Sequence, residues 1–333
     1  MQKKSELKIA SLLPSATEIV CALGLQENLV GITHECDFPP TIVDKPHLTK
    51  SRISHETMSS VEIDHAVRSQ LDGHGSIYDL DTRLLQELNP DLIITQELCD
   101  VCAVSYKIVQ KAAKMYVADA KVVSLEPNTI EDIFQNIKTV GELCDVSEKA
   151  EEVVKNLQNR LDKVRERISK AAENPKSQIP NPKPKVFMLE WLEPPFAPGH
   201  WTPEQVEMAG GNCLLGTSGK KSVTTTYQEI IDEQPEILVL IPCGYYIKDI
   251  LRQLPQTTFP ESFQEIPAFQ NNEIWAMDAS SYFSRPAPRI VDGVEILVKI
   301  FHPEIFGEPT ENEAVRVSKG LIKFAASQNR RRF

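Results

Sequence analysis

Residues 147–173 read SEKAEEVVKNLQNRLDKVRERISKAAE and set the organisation of the whole chain. Their apolar residues recur at the i, i+3, i+4, i+7 spacing of one helix face, namely Ala150, Val153, Val154, Leu157, Leu161, Val164 and Ile168. Acidic residues are concentrated at the start of this predicted helix and basic residues at its end, as the helix dipole favours. Asn174-Pro175 ends the helical pattern. Such a helix is roughly 40 Å long, which is enough to cross a whole domain.

The two halves that flank this helix resemble each other. Residues 82–95 read TRLLQELNPDLIIT, and residues 227–240 read YQEIIDEQPEILVL. In each, an amphipathic turn ends at a proline followed by an acid, and a short apolar run typical of a buried parallel strand comes next. We therefore predict an α/β protein with two Rossmann-like lobes bridged by one long helix. The predicted boundaries are an N-terminal lobe of residues 1–146, an interlobe helix of residues 147–174 and a C-terminal lobe of residues 175–333.

Composition excludes several classes of partner. The chain has 333 residues, 41% of them hydrophobic and 25% charged, which suits a globular protein with two cores. The formal net charge of −11 argues against nucleic acid or an anionic membrane as partner. No window reaches the roughly 18 to 20 apolar residues of a membrane span. The N-terminus does not read as a signal peptide, and seven cysteines suit a reducing compartment. We therefore expect a cytoplasmic monomer, periplasmic only if a signal peptide has been removed.

The turns that follow the predicted strands are the candidate site, because ligands of open α/β sheets bind beyond the carboxyl ends of the strands. These turns are rich in aromatic side chains, and planar ligands bind by stacking on such faces. The predicted ligand-binding residues are Ser15, Thr17, Glu97, Glu190, Trp191, Trp201, Tyr245, Tyr282, Phe283 and Arg285. The alternative is that some of the aromatic residues belong to the core and that Arg285 pairs with Glu190.

A second cluster of residues suits a metal. His34 and Cys36 follow one predicted strand of the first lobe, and Cys99-x-x-Cys102 follows another. Four nitrogen and sulfur ligands favour zinc, and three thiolates with an open position suit a soft metal in a bound cofactor. The alternatives are inert buried thiols or a redox-active cysteine pair.

Four motifs in order carry a family resemblance. They are SLLPSATE at 11–18, NPDLI at 89–93, the long helix, and Glu204-x-x-Glu207-x-Ala-Gly-Gly211. Together, over about residues 8–302, they resemble the substrate-binding proteins of iron-siderophore and vitamin B12 ABC importers. The resemblance implies the class III periplasmic-binding-protein fold and a small-molecule ligand, cobalamin or a related metal chelate, held between the lobes. It also implies an ABC permease as partner, and binding without catalysis.

The sequence departs from this family at the surface that meets the permease. Receptors of the family commonly present an acidic residue on each lobe, at positions that fall here on Arg83 and Gln228, with Asp81 and Glu229 as acidic neighbours. We therefore expect an intracellular binder on the receptor fold. The alternatives are an intracellular zinc or iron protein that uses His34, Cys36, Cys99 and Cys102, or the receptor component of an importer. No nucleophile-elbow, phosphate-loop or dinucleotide-binding motif is present, so we expect no enzyme activity.

Overall fold

The computed structural model describes residues 7–51, 53, 57–74, 77–96, 106–173 and 183–325. Contacts within the chain divide it into two compact units. The first unit comprises residues 1–58, 62–158 and 285–288, and the second comprises residues 59–61, 159–284 and 289–333. The division between Gln158 and Asn159 therefore falls inside the long helix.

The first unit is built on a four-stranded parallel sheet of order β2-β1-β5-β6, and β3 and β4 form a separate antiparallel pair. The strands are β1 Ile9–Ser11, β2 Leu29–Gly31, β3 Thr49–Ser51, β4 Tyr78–Leu80, β5 Leu92–Thr95 and β6 Lys121–Ser124. The central strands β1 and β5 are buried along their whole length, which explains why they read as continuous apolar runs.

Helices connect the strands of the first unit, and a long helix follows the last of them. They are α1 Pro14–Ala22, α2 Ser60–His74, α3 Thr82–Leu88, α4 Tyr106–Tyr116, α5 Ile130–Leu143 and α6 Ser147–Glu173. Thr129 and Asp132 form a reciprocal capping box at the start of α5. Gly141 allows α5 to approach α6, because a Cβ atom there would lie 2.5 Å from the Cβ of Ala150.

The second unit contains a five-stranded sheet of order β14-β13-β11-β7-β9, in which only β14 runs antiparallel to its neighbour. The strands are β7 Lys185–Leu189, β8 Phe196–Ala197, β9 Asn212–Cys213, β10 Val223–Thr224, β11 Ile237–Leu240, β12 Thr258–Phe259, β13 Ile274–Met277, β14 Ala314–Arg316 and β15 Lys323–Phe324. Outside this sheet, β8 pairs with β10 and β12 pairs with β15.

Shorter helices pack around this second sheet, and α6 joins them through its later turns. The helices are α7 Thr202–Met208, α8 Tyr227–Asp232, α9 Ile247–Gln253, α10 Pro267–Gln270, α11 Ala279–Tyr282, α12 Ile290–Phe301 and α13 Pro303–Phe306. Arg160 on α6 donates to Asp292 and, at 2.6 and 2.9 Å, to Glu295 of α12. Arg167 lies over the ring of Phe306 at 4.1 Å. These contacts hold the second half of α6 against the second unit.

The predicted α/β class, with parallel sheets and one long helix over residues 147–173, is confirmed. Two short strands, β14 and β15, follow β13. Strands of two or three residues are too short to show an alternating pattern in sequence. Among the residues that the structure describes, no helix has both the length and the hydropathy of a membrane span.

Candidate functional site

Two sets of loops lie where a sheet of this kind binds its ligands, one in each unit. Because the strands are parallel, their carboxyl ends meet at one edge of each sheet. We call residues 11–18 and 33–37, with Arg285, the polar edge of the first unit. We call the residues 190–201, 243–246 and 278–284 the aromatic edge of the second unit.

A buried chain of hydroxyl and thiol groups forms the inner part of the polar edge. The Thr17 hydroxyl donates to the Ser11 Oγ at 2.8 Å and lies 3.1 Å from the Cys36 Sγ. The Thr33 hydroxyl lies 3.2 Å from the same sulfur. Burial raises the pKa of Cys36, although both hydroxyl contacts oppose that shift, so the group is a thiol at neutral pH. Ser15, also predicted to contact ligand, is buried in the first turn of α1.

Arg285 is buried in the polar edge among oxygen atoms of the first unit. Its guanidinium donates to the Asp37 carboxylate and, at 2.9 Å, to the carbonyl oxygen of Glu35. It also lies 3.5 Å from the Glu18 carboxylate, whose side chain is 2% exposed. A charged side chain is tolerated in such a place only when opposite charges and hydrogen bonds surround it. Its assigned contact with ligand stays a prediction.

The predicted metal ligands are placed only in part. The His34 Nδ1 lies 2.8 Å from the Thr49 hydroxyl, and burial, followed by the nearby His47, lowers the pKa of the imidazole. Cys99 and Cys102 lie outside the described residues, as does the predicted ligand residue Glu97. In the described part of the chain, no three or more His, Cys, Asp or Glu side chains are grouped to hold a metal ion. Convergence of the four residues on zinc therefore stays a prediction.

Trp191 and Tyr245 meet at the aromatic edge. Their ring centroids are 5.4 Å apart and the rings are inclined by 70°, the edge-to-face arrangement that aromatic quadrupoles favour. Tyr245 is fully buried, whereas Trp191 keeps part of its surface exposed. The indole Nε1 of Trp191 is buried and has no hydrogen-bond partner among the described residues. Tyr245 is thus a fully buried ring in edge-to-face contact with a partly exposed indole.

Trp201 and Phe283 are buried in the base of the same edge. The Trp201 Nε1 donates to the carbonyl oxygen of Phe283 at 2.8 Å, and the two side chains are 6% and 4% exposed. Tyr282 keeps part of its surface exposed, and burial of the rest raises the pKa of its phenol. Its carbonyl oxygen accepts from the Gln205 side chain at 3.0 Å. Trp201 and Phe283 therefore join two loops, and of the predicted aromatic ligand contacts Trp191 and Tyr282 retain accessible surface.

The Glu190 carboxylate accepts hydrogen bonds from two separate segments of the chain. The Gly199 amide donates to it at 3.3 Å, and the Ser222 hydroxyl donates to its other oxygen. Burial raises the pKa of Glu190 to about 6, against the effect of hydrogen bonds from Ser222, Gly199 and Thr202. Sequence reasoning missed Ser222, because nothing in a single sequence links two residues that are 32 positions apart.

Backbone hydrogen bonds connect the three loops of the aromatic edge. The Cys243 amide donates to the Glu190 carbonyl at 3.1 Å, and the Ser280 amide donates to the Tyr245 carbonyl at 3.1 Å. The Gly244 amide donates to the Ser284 hydroxyl oxygen at 3.2 Å. The loops after β7, β11 and β13 are thus fixed to one another.

The acidic neighbours of the predicted docking positions lie at the starts of corresponding helices in the two units, Asp81 as the N-cap of α3 and Glu229 in the first turn of α8. Asp81 caps α3 by accepting from the Leu84 amide, and Glu229 belongs to the capping box of α8. The predicted positions themselves pair with side chains one turn on, Arg83 with Glu87 and Gln228 with Asp232. Each acid therefore lies at the start of the helix that leads into the Pro-acid strand entry.

Known proteins resemble this chain over most of its length. A family model described as "Periplasmic binding protein" matches residues 9–280. A vitamin B12-binding protein of Vibrio cholerae serotype O1 is 23% identical over 291 residues, which cover 86% of each chain. An uncharacterised ABC transporter substrate-binding lipoprotein of Bacillus subtilis is 24% identical over 319 residues, 92% of this chain and 83% of the relative. The crystal structure of a periplasmic heme-binding protein from Pseudomonas aeruginosa has a similar fold, with a TM-score of 0.69, 18% identity and coverage of 94% and 99%.

These similarities correct one expectation and confirm another. The expectation of a cytoplasmic protein is wrong, because the matching family is described as periplasmic and the Bacillus subtilis relative is a lipoprotein, which points to a location outside the cytoplasm. Cysteine number and N-terminal composition are weak indicators of compartment, and here they misled. The predicted family is confirmed by a match that extends from β1 to α11. The chain belongs to the periplasmic binding protein family.

Proposed function

We propose that this protein is the substrate-binding component of an ABC importer and binds a planar metal chelate of the cobalamin or haem kind at its aromatic edge. The observation that carries the proposal is the Trp191–Tyr245 pair at the carboxyl ends of β7 and β11. An indole that contacts a buried ring edge-to-face and keeps part of its surface exposed offers apolar stacking area to a flat ligand.

The names of the relatives support the class of ligand. One relative is a vitamin B12-binding protein and one similar structure is a heme-binding protein. Both ligands are large, flat and metal-centred, so the requirement they share is apolar stacking area. The aromatic edge supplies this area in one unit, through Trp191 and Tyr282.

An ABC permease is the proposed partner, as the lipoprotein relative is an ABC transporter substrate-binding protein. Asp81 and Glu229 are the proposed contacts, because they lie at matching helix starts in the two units. The proposed role is binding and delivery, with no chemical step assigned to any residue.

Calorimetric titration with cyanocobalamin, haem and a ferric siderophore tests the proposal. At least one should bind, and Trp191→Ala should weaken that binding by about 1 to 3 kcal/mol while the melting temperature of the free protein changes little. Tyr116→Ala is the matched control, since it truncates an exposed aromatic residue at the end of α4 that belongs to neither edge. Absence of binding to all three ligands, or equal losses in the two variants, would refute the proposal.

A further inference from the structure

Trp191 lies in a short loop whose two ends are joined by backbone hydrogen bonds. We call residues 190–196 the Trp191 loop. The Glu190 amide donates to the Phe196 carbonyl at 3.2 Å, and the Phe196 amide donates to the Trp191 carbonyl at 3.3 Å. The backbone of Trp191 is therefore fixed to the other end of its loop, and its position follows that of the loop as a whole.

The residues that begin α8 hold the middle of this loop. We call residues 225–229 the cap segment. The Tyr227 hydroxyl donates to the Leu192 carbonyl at 2.6 Å, and the Thr225 amide donates to the Pro195 carbonyl at 2.9 Å. Both acceptors belong to buried residues, so water cannot readily replace the two donors. The position of the loop therefore depends on the position of the cap segment.

The Glu229 carboxylate organises the cap segment through one of its two oxygens. Its Oε2 accepts from the Thr225 hydroxyl at 2.8 Å, and from the amide and the hydroxyl of Thr226 at 2.8 and 3.0 Å. These hydrogen bonds, that of Thr225 most of all, lower the pKa of Glu229, so ionisation of the carboxylate and formation of the cap favour each other. The side chain is exposed, and its Oε1 accepts no hydrogen bond among the described residues.

We propose that Glu229 is a positioning residue for Trp191, because its ionised carboxylate holds the cap segment and the cap segment holds the Trp191 loop. A cation that binds both oxygens of Glu229 then weakens ligand binding. This role is additional to the proposed contact of Glu229 with a permease. The ligand-binding part rests on the proposed function, whereas the positioning of the loop does not.

The geometry of a guanidinium group explains why such a cation disturbs the cap. Arginine binds a carboxylate through two parallel N–H···O hydrogen bonds, one to each oxygen. A carboxylate has about two acceptor sites on each oxygen, and the Oε2 of Glu229 already has three donors. The hydrogen bonds from Thr225 and Thr226 must therefore lengthen or break when the guanidinium binds.

The first test compares two helix caps in the ligand-free protein. Hydrogen exchange of peptides that cover the Trp191 loop should be about fivefold faster in Glu229→Ala than in the wild type, the change that loss of a typical cap produces. Asp132→Ala is the matched control, because it removes the corresponding member of the capping box at α5, which belongs to neither edge. This control should leave exchange of the loop unchanged. Unchanged exchange in Glu229→Ala, or equal changes in the two variants, would overturn the proposal.

The second test measures affinity by calorimetry with whichever of cyanocobalamin, haem and ferric siderophore binds. Glu229→Ala should weaken binding by at least about fivefold, and Asp132→Ala should not. Thr225→Val removes one donor to Glu229 and should give part of this loss, whereas Thr225→Ser keeps the hydroxyl and should restore the affinity. Full affinity in Glu229→Ala would overturn the proposal. Faster exchange of the loop in a protein that binds none of the three ligands would support the positioning role and refute the proposed function instead.

The third test supplies the cation from the chain itself. Glu233→Arg places a guanidinium group one helical turn after Glu229, where it can reach the carboxylate. Exchange of the Trp191 loop should become faster and ligand affinity should fall, whereas Glu233→Gln, which removes only the charge of Glu233, should change neither. In the Glu229→Ala background Glu233→Arg should have no further effect. An effect that persists in that background, or no effect when Glu229 is present, would overturn the competition for Glu229.

Discussion

The two carboxyl edges have the same topology and opposite chemistry. Each lies at the carboxyl ends of parallel strands, and in each sheet one strand, β5 or β11, is entered through a helix, a proline and an acid. The polar edge buries a cation among carboxylates and hydroxyls, whereas the aromatic edge buries rings and leaves one indole accessible. The sheet therefore determines where side chains meet, and the loops alone determine which chemistry meets there. Arg285 and Trp191 are the residues that distinguish the two edges most sharply.

The largest effect should come from the polar edge. Arg285→Met removes the cation from the buried Glu18, and we expect a loss of about 3 to 5 kcal/mol in the free energy of unfolding, as when one partner of a buried ion pair is deleted. Chemical denaturation measures the loss, and the double variant Glu18→Gln/Arg285→Met should recover much of it. If Arg285→Met alone keeps its stability and loses only ligand affinity, Arg285 is a ligand contact as the sequence first suggested.

Substitutions at the aromatic edge should have a smaller effect on the free energy of unfolding. This effect should differ between the buried indole of Trp201 and the partly exposed indole of Trp191. Trp201→Phe leaves the Phe283 carbonyl without its donor, and we expect a loss of about 1 to 3 kcal/mol in the free energy of unfolding. Trp191→Phe is the matched control and should cost less than about 1 kcal/mol, since its Nε1 has no partner among the described residues. The denaturant midpoints of the two ligand-free variants give both losses of stability. Equal losses would contradict the different roles assigned to Trp201 and Trp191.

Glu190 should make stability depend on pH in a defined window. Its pKa is about 6 in the folded protein against an ordinary value of 4.5, so the folded state holds the proton more tightly. The resulting stabilisation is fully present below about pH 4.5 and is lost as pH rises through about 6, up to about 2 kcal/mol in all. Glu190→Gln should lack this slope, so the wild-type stability minus the variant stability should fall as pH rises from about 4.5 through about 6. An unchanged slope in the variant would assign it to other groups.

The smallest effect concerns the cysteines. Cys36 is buried against Thr17 and Thr33 with a raised pKa, whereas Cys243 is exposed. Iodoacetamide at pH 7.5 should therefore modify Cys243 at least tenfold faster than Cys36 in the folded protein, because the reaction needs an accessible thiolate. Mass spectrometry of labelled peptides gives both rates. Rapid labelling of Cys36 would instead indicate that this part of the polar edge opens readily.

The sequence predicted the regular elements well because they carry periodic signals. The apolar face of α6 and the apolar runs of β5 and β11 are all local patterns. The candidate site was predicted as a set of loops and residue types, since the carboxyl ends of parallel strands must meet. Its side-chain pairings were not predictable: Arg285 meets Glu18 across 267 positions and Glu190 meets Ser222 across 32. Such contacts depend on the conformation of irregular loops, which the spacing of residue types along the sequence does not reveal.

The antiparallel strand β14 has a consequence for the behaviour of the protein at high concentration. An open sheet offers unpaired amide and carbonyl groups at its outer strands, and a second chain can extend the sheet by adding a strand there. In the second unit one outer strand is β14, of three residues, and the other is β9, of two. Arg316 of β14 covers the ring of Trp275 at 4.3 Å and places a charge at that boundary. Both outer strands are thus too short, and one is too charged, to template growth of the sheet into fibres.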